Sequence, residues 1–140
     1  MRMTMNVDEL ERREPAARGW LNQATELARA WGVCTRDGGR RAAEERALRI
    51  VAARIWQMTR GRPSFAAIDV DGVHEDLTAA FVGAAAIGAA LRVVFRFYWM
   101  LAKRGVVSDA QAADVQRELY RLYREEERKL RRHAARVAAG

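Results

Sequence analysis

Five acidic or imidazole side chains lie close together near the middle of the sequence. They are Asp69, Asp71, His74, Glu75 and Asp76. Carboxylate oxygens and imidazole nitrogens are the donors that divalent cations use in proteins when several of them converge on one ion. Their spacing matches neither the calcium loop of an EF-hand nor the histidine pair of a zinc-binding helix. The dipole at a helix start explains the acids of this cluster without a ligand. We therefore assign no metal and no cofactor. Should a metal bind, its candidate ligands are Asp69, Asp71, His74 and Glu75.

A row of arginines near the end of the chain has the spacing to bind anions. At 100° per residue, six of them fall within a sector about 100° wide on one side of a helix. These six, which we call the arginine ridge, are Arg117, Arg121, Arg124, Arg128, Arg131 and Arg132. Each guanidinium can neutralise a phosphate without reading a base. Glu118, Glu125 and Glu127 flank the row and offer pairs within the helix, so a merely solvated face is the alternative.

The opposite side of the same helix is apolar and carries one acid. Its apolar members are Ala112, Val115, Leu119, Leu122, Tyr123, Leu130 and Val137. They predict a face that packs on the core or on a second copy of the chain. Glu126 interrupts this face, and a carboxylate taken out of water needs a partner. We expect Glu126 to form a buried ion pair with Arg54, Arg92 or Arg96; Arg54 could instead extend its stem past the core edge.

The overall charge favours anionic partners. The formal net charge is +7, from 25 basic and 18 acidic side chains, and all but two of the basic residues are Arg. Such a balance is typical of proteins that bind nucleic acid, an acidic protein surface or a phospholipid surface. A GC-rich genome would also supply arginine codons, so the placement of the arginines is the more informative observation.

The single cysteine, Cys34, argues for a reducing compartment. One cysteine forms no intrachain disulfide and no cysteine-based zinc cluster. The N-terminal residues contain no apolar run of the length of an export signal, so we expect a cytoplasmic protein. No motif of a nucleophile, a P-loop or a dinucleotide site occurs, and we do not expect an enzyme.

The elements that position these residues are predicted to be helices. Only two Pro occur among the 140 residues, while Ala and Leu are plentiful. We predict an all-α fold, a compact bundle of about four main helices in a single domain over residues 1–140, with residues 1–13 as a loose lead-in. A very apolar helix over 77–104 lies at its centre, and a long basic C-terminal helix begins with a capping box at Ser108 and Gln111 and projects its basic end.

The apolar stretch also raises the question of a membrane span. Residues 77–91 carry no charge, but 15 residues are fewer than the roughly 20 that a bilayer requires. Extending the stretch places Arg92 and Arg96 inside the span, at about 2.5–3.5 kcal/mol each. A buried bundle helix is therefore the favoured interpretation and membrane insertion the disfavoured one.

Three classes of function follow from these features. The first is a non-enzymatic helical interaction module that binds nucleic-acid backbone, or another polyanion, through the arginine ridge. The second is a protein-binding or assembly subunit whose arginines only keep it in solution; four Trp and the apolar faces make a homo-oligomer or a protein partner an expectation in either case. The third is a membrane-surface protein with the 77–104 helix inserted.

Overall fold

The computed structural model describes residues 6–140, and every regular element in that part of the chain is an α-helix. The described helices are α1 (Val7–Arg13), α2 (Ala17–Ala30), α3 (Gly38–Met58), α4 (Val70–Ala80), α5 (Ala84–Lys103) and α6 (Asp109–Ala139). No β-strand occurs between residues 6 and 140. The prediction of an all-α fold is confirmed, with six described helices where about four were expected.

The predicted loose lead-in contains a helix. The Asn6 side chain accepts a hydrogen bond from the Glu9 amide at 3.2 Å and caps α1, which satisfies one of the amides that a helix start leaves without a partner. Leu10 is buried and anchors this helix to the core. The expectation of a loose segment is therefore wrong for residues 7–13, and the first five residues of the predicted lead-in lie outside the described residues.

The predicted single helix over 77–104 is two helices. α4 ends at Ala80, Phe81 is extended (φ −114°, ψ 143°), and Gly83 has φ 91° and ψ 153°, a region of backbone space that is nearly exclusive to glycine. Val82 between them is almost fully exposed, so no packing holds this stretch in a helix. The uniform lack of charge predicted a continuous helix, but a glycine-specific backbone conformation interrupts it.

The apolar side of α5 forms much of the core. Val93, Val94, Phe97 and Leu101 are fully buried. This helix packs against α6 and α3, and α3 packs in turn against α2. Fully burying one such side chain contributes about 1.5–3 kcal/mol. The contact of α5 with α6 is the one that positions the arginine ridge.

An aromatic cluster joins the loop before α4 to this core. The ring of Phe65 lies 4.4 Å from that of Trp20 and 5.3 Å from that of Phe97. The Tyr98 hydroxyl donates to the Phe65 carbonyl at 2.7 Å, and Trp20 Nε1 donates to the Ala52 carbonyl at 2.7 Å. The polar atoms of the buried rings thus have partners, as a dry interior requires.

Within the described residues, one helix has the length and composition to cross a membrane. It is α5, and half of its most apolar 18-residue stretch is buried inside the protein. Core helices pass the same test of length and composition.

We predict that Gly83→Ala destabilises the fold. An alanine must adopt the same positive φ, which costs about 1–3 kcal/mol, whereas no heavy atom lies within 4 Å to hinder the added methyl group itself. The measurement is the free energy of unfolding from urea denaturation. Gly19→Ala is the matched control, because Gly19 lies in the helical conformation of α2 with open space around it, and this change is expected to be stabilising by up to about 1 kcal/mol. Equal effects of the two changes would contradict the assigned backbone conformation.

Candidate nucleic-acid interface

Helix α6 carries the arginine ridge and divides into a docked part and a projecting part. The predicted capping box is present: the Ser108 hydroxyl accepts from the Gln111 amide, and the Gln111 side chain accepts from the Ser108 amide, each at 3.0 Å. Buried residues at three-and-four spacing then hold the helix to the core. They are Ala112, Val115, Leu119, Leu122 and Glu126. From Arg128 onwards every residue is exposed, so about 18 Å of helix extends beyond the last buried turn.

The first arginines of the ridge are already paired with acids. Arg121 contacts Asp71 at 3.4 Å, Glu118 at 3.4 Å and Glu125 at 3.3 Å. The hydrogen bond that Arg121 donates to Glu118 raises the pKa of Arg121, which therefore stays a cation surrounded by carboxylates. Arg117 lies 3.2 Å from an acid one turn away on the same helix. A phosphate that approaches these two arginines has to compete with acids of the protein itself.

The middle of the ridge is partly compensated. Arg124 donates to the Tyr120 hydroxyl at 3.2 Å and lies 3.8 Å from Glu127. The same Glu127 accepts from Arg131 at 3.4 Å, although the Arg131 side chain remains 71% exposed. One carboxylate is thus shared between two guanidinium groups, and the local charge stays positive.

The projecting part of α6 is the most basic surface of the helix. Residues 128–140 contain five basic side chains and no acid. Arg128, Arg132 and Arg136 form no ion pair with any residue between 6 and 140. Like charges this close together raise the local potential and attract anions over a range of about one Debye length.

Glu126 marks the point at which α6 leaves the core, and its partners differ from those expected. Its carboxylate is 1% exposed and lies 3.1 Å from His74 Nε2 and 3.1 Å from Lys129 Nζ. The second oxygen, Oε2, has no hydrogen-bond partner in the described structure. The expectation of a pair with one of three arginines is replaced by a contact with a histidine 52 residues away in sequence. The separate helix α4 makes this contact, since it places His74 beside α6.

The three arginines each have another contact. Arg54 donates to both oxygens of the buried Asp76, at 2.7 and 2.8 Å, and this hydrogen bonding raises the pKa of Arg54. Arg96 is hydrogen-bonded to Glu44. Arg92 lies over the ring of Tyr123, 6.0 Å from its centre.

The acidic cluster does not converge on one point. Asp71 faces Arg121 and His74 faces Glu126, while Asp69 and Glu75 both act on Arg54 by raising its pKa. Among residues 6–140 no group of three or more His, Cys, Asp or Glu side chains could hold a metal ion. The side chains point to different helices because successive positions of α4 face different neighbours.

Sequence reasoning missed a groove beside the ridge. It runs between α5 and α6, has a volume of about 320 Å³, and is lined by Leu91, Arg92, Phe95, Arg96, Leu119, Tyr120 and Tyr123. The four-residue spacing of Arg92 and Arg96 was a usable signal, but the aromatic rings come from two helices that only the fold brings together. Comparison with protein-family models, with curated proteins and with solved structures finds no match to this chain.

We predict that the Cys34 thiol reacts slowly. Partial burial, together with Glu44 and Glu45, raises the pKa of Cys34 to about 11 from an ordinary 9.0. The reactive thiolate is therefore about 100-fold scarcer at pH 8, and the rate of alkylation should still rise between pH 9 and pH 11. The measurement is the rate of iodoacetamide labelling, with Ala113→Cys in a Cys34→Ala chain as the exposed control. A rate at pH 8 equal to that of the control would contradict the prediction.

We also predict opposite effects for the two partners at the base of the projecting helix. His74→Leu removes a hydrogen bond from the buried Glu126 carboxylate and should destabilise the fold by about 1–3 kcal/mol. Glu126→Leu leaves only His74, whose side chain is 19% exposed and can be hydrated, so replacing the buried carboxyl group on the apolar face should be neutral or stabilising. In the double variant the penalty of His74→Leu should disappear. Urea denaturation of the four chains measures this, and an unchanged penalty in the double variant would show that the pair does not interact.

Proposed function

We propose that this chain is a non-enzymatic interaction module that binds the nucleic-acid backbone, or a polyanion of similar charge density, through the arginine ridge of α6. In this proposal α5 is the inner helix of a bundle, and α6 is the basic helix on its outside. The observation that carries the proposal is the projecting part of α6. Its guanidinium groups are exposed, and among residues 6–140 Arg131 is the one of them that is paired with an acid, Glu127, on a helix held in place by a buried stem.

The chemistry of the ridge suits phosphates. A guanidinium presents its donors in a planar fork that matches two phosphate oxygens, and it remains charged at any physiological pH. Arg128 and Arg132 are one helical turn apart, about 6 Å along the axis. Neutralising several phosphates releases condensed counterions, which makes affinity strong at low salt and independent of sequence.

The first and the last arginines of the ridge differ in how many ion pairs they form with acids of the same chain. Arg117 and Arg121 already satisfy acids of the same chain, so moving them to a phosphate gains less. Arg128 and Arg132 have no such contact among residues 6–140, and Arg131 shares its only acid with Arg124. The distal half is therefore proposed to supply most of the affinity.

We expect duplex DNA to bind with a steep dependence on salt. The measurement is fluorescence anisotropy of a labelled duplex of about 20 base pairs between roughly 50 and 200 mM KCl. Replacing Arg128, Arg131 and Arg132 by Gln should lower the slope of log K against log salt by up to about 2.7, since each phosphate contact contributes about 0.9.

The matched control replaces Arg117, Arg121 and Arg124 by Gln, which removes the same formal charge. A smaller loss than in the distal variant is expected. Affinity that does not change with salt, or no binding at the lowest salt, would contradict the proposed function. Equal losses in the two variants would contradict only the assignment to the distal half.

One observation favours the assembly subunit as a second candidate. The apolar side of α6 continues past the core with Leu130, 41% exposed, and Val137, 66% exposed. A second copy of the chain could cover these residues by helix packing. This candidate requires that the mass in solution exceeds that of one chain and does not change with salt. The double variant Leu130→Glu/Val137→Glu should reduce the mass to that of one chain, and the protein should not retain nucleic acid.

A further inference from the structure

The groove between α5 and α6 combines aromatic rings with cations. Phe95 contributes a ring from α5, and Tyr120 and Tyr123 contribute rings from α6. Arg92 lines the same groove and lies over the ring of Tyr123, and among residues 6–140 it forms no ion pair with an acid. Its guanidinium charge is therefore available to an anion at the groove.

Tyr120, which lines the groove, is 53% exposed. Trp99 is 48% exposed on α5, one helical turn beyond Phe95 and outside the lining of the groove. Lys103 Nζ lies 4.2 Å above the Trp99 ring. Exposed rings accompanied by cations are the arrangement on which nucleobases stack while phosphates are neutralised alongside.

The groove is continuous with the arginine ridge. The Tyr120 hydroxyl accepts a hydrogen bond from Arg124, whose guanidinium carbon lies 5.8 Å from the centre of the same ring. A strand whose phosphates follow the ridge thus brings its bases within reach of Tyr120. Arg96 donates hydrogen bonds to Glu44 and to the Val33 carbonyl, so it lines the groove with its charge already paired.

We propose that this groove stacks the unpaired bases of single-stranded nucleic acid whose backbone lies along the arginine ridge. The inference rests on the proposed function and narrows its ligand from any phosphate backbone to a single strand. Bases of a duplex are already stacked on each other and cannot enter the groove. An acidic peptide would use the cations but leave the exposed rings without a role.

The test compares a labelled oligothymidylate of about 24 nucleotides with a duplex of about 12 base pairs, which carries about the same total charge. Tyr120→Leu should weaken binding of the single strand on the order of 5- to 100-fold, which corresponds to losing one stacked base, and should leave duplex binding unchanged. Tyr120→Phe is the matched control, because it keeps the ring and loses only the hydroxyl that accepts from Arg124. It should bind the single strand nearly as tightly as the unaltered chain.

The outcomes separate the two proposals. Steeply salt-dependent binding of duplex, with the single strand bound no more tightly and no effect of Tyr120→Leu, would leave the ridge in place and overturn the groove. Binding of neither nucleic acid would overturn both. If Tyr120→Leu weakened the binding of a poly-glutamate peptide as much as it weakened the binding of the single strand, base stacking would not be the interaction that the groove supplies.

Discussion

The packing of α6 against α5 holds the arginine ridge in place. Leu119 and Leu122 are buried against α5, which itself buries Val94 and Leu101 in the core. Each such side chain contributes about 1.5–3 kcal/mol. The stem also begins at a complete capping box, so the helix starts from a docked and capped turn. An isolated basic helix of about 12 residues is marginal in water, and the projecting part of α6 is helical because it continues from this stem.

Two buried acids tie the short helix α4 into this arrangement. Asp76 of α4 pairs with Arg54 of α3, and His74 of the same helix contacts Glu126 of α6. Replacing such pairs by apolar residues is often neutral, whereas a buried charge that is left without its partner is strongly destabilising. The pairs therefore specify which helices lie side by side more than they add stability. They also fix the point at which α6 leaves the core.

The arginines of α6 share one residue type but differ in the groups that surround them. Arg121 meets a carboxylate from α4 in addition to those on its own helix. Arg132 is exposed and forms no ion pair with any residue between 6 and 140. The same side chain thus stabilises an interhelical contact at one position and is left to solvent, or to a proposed phosphate, three turns later. The groove beside Tyr120 extends the surface with rings, which the ridge alone does not supply.

Local patterns in the chain were enough to predict the helical class, the capping box at Ser108 and the apolar side of α6, because these depend on neighbours within one or two helical turns. The break at Gly83 was not predicted, because the lack of charge along a stretch gives no indication of a backbone conformation such as the φ of 91° at this glycine. The partner of Glu126 and the groove at Tyr120 depend on residues from different helices. Sequence spacing sets which residues share a helix face, and only the tertiary structure decides which face of another helix lies opposite.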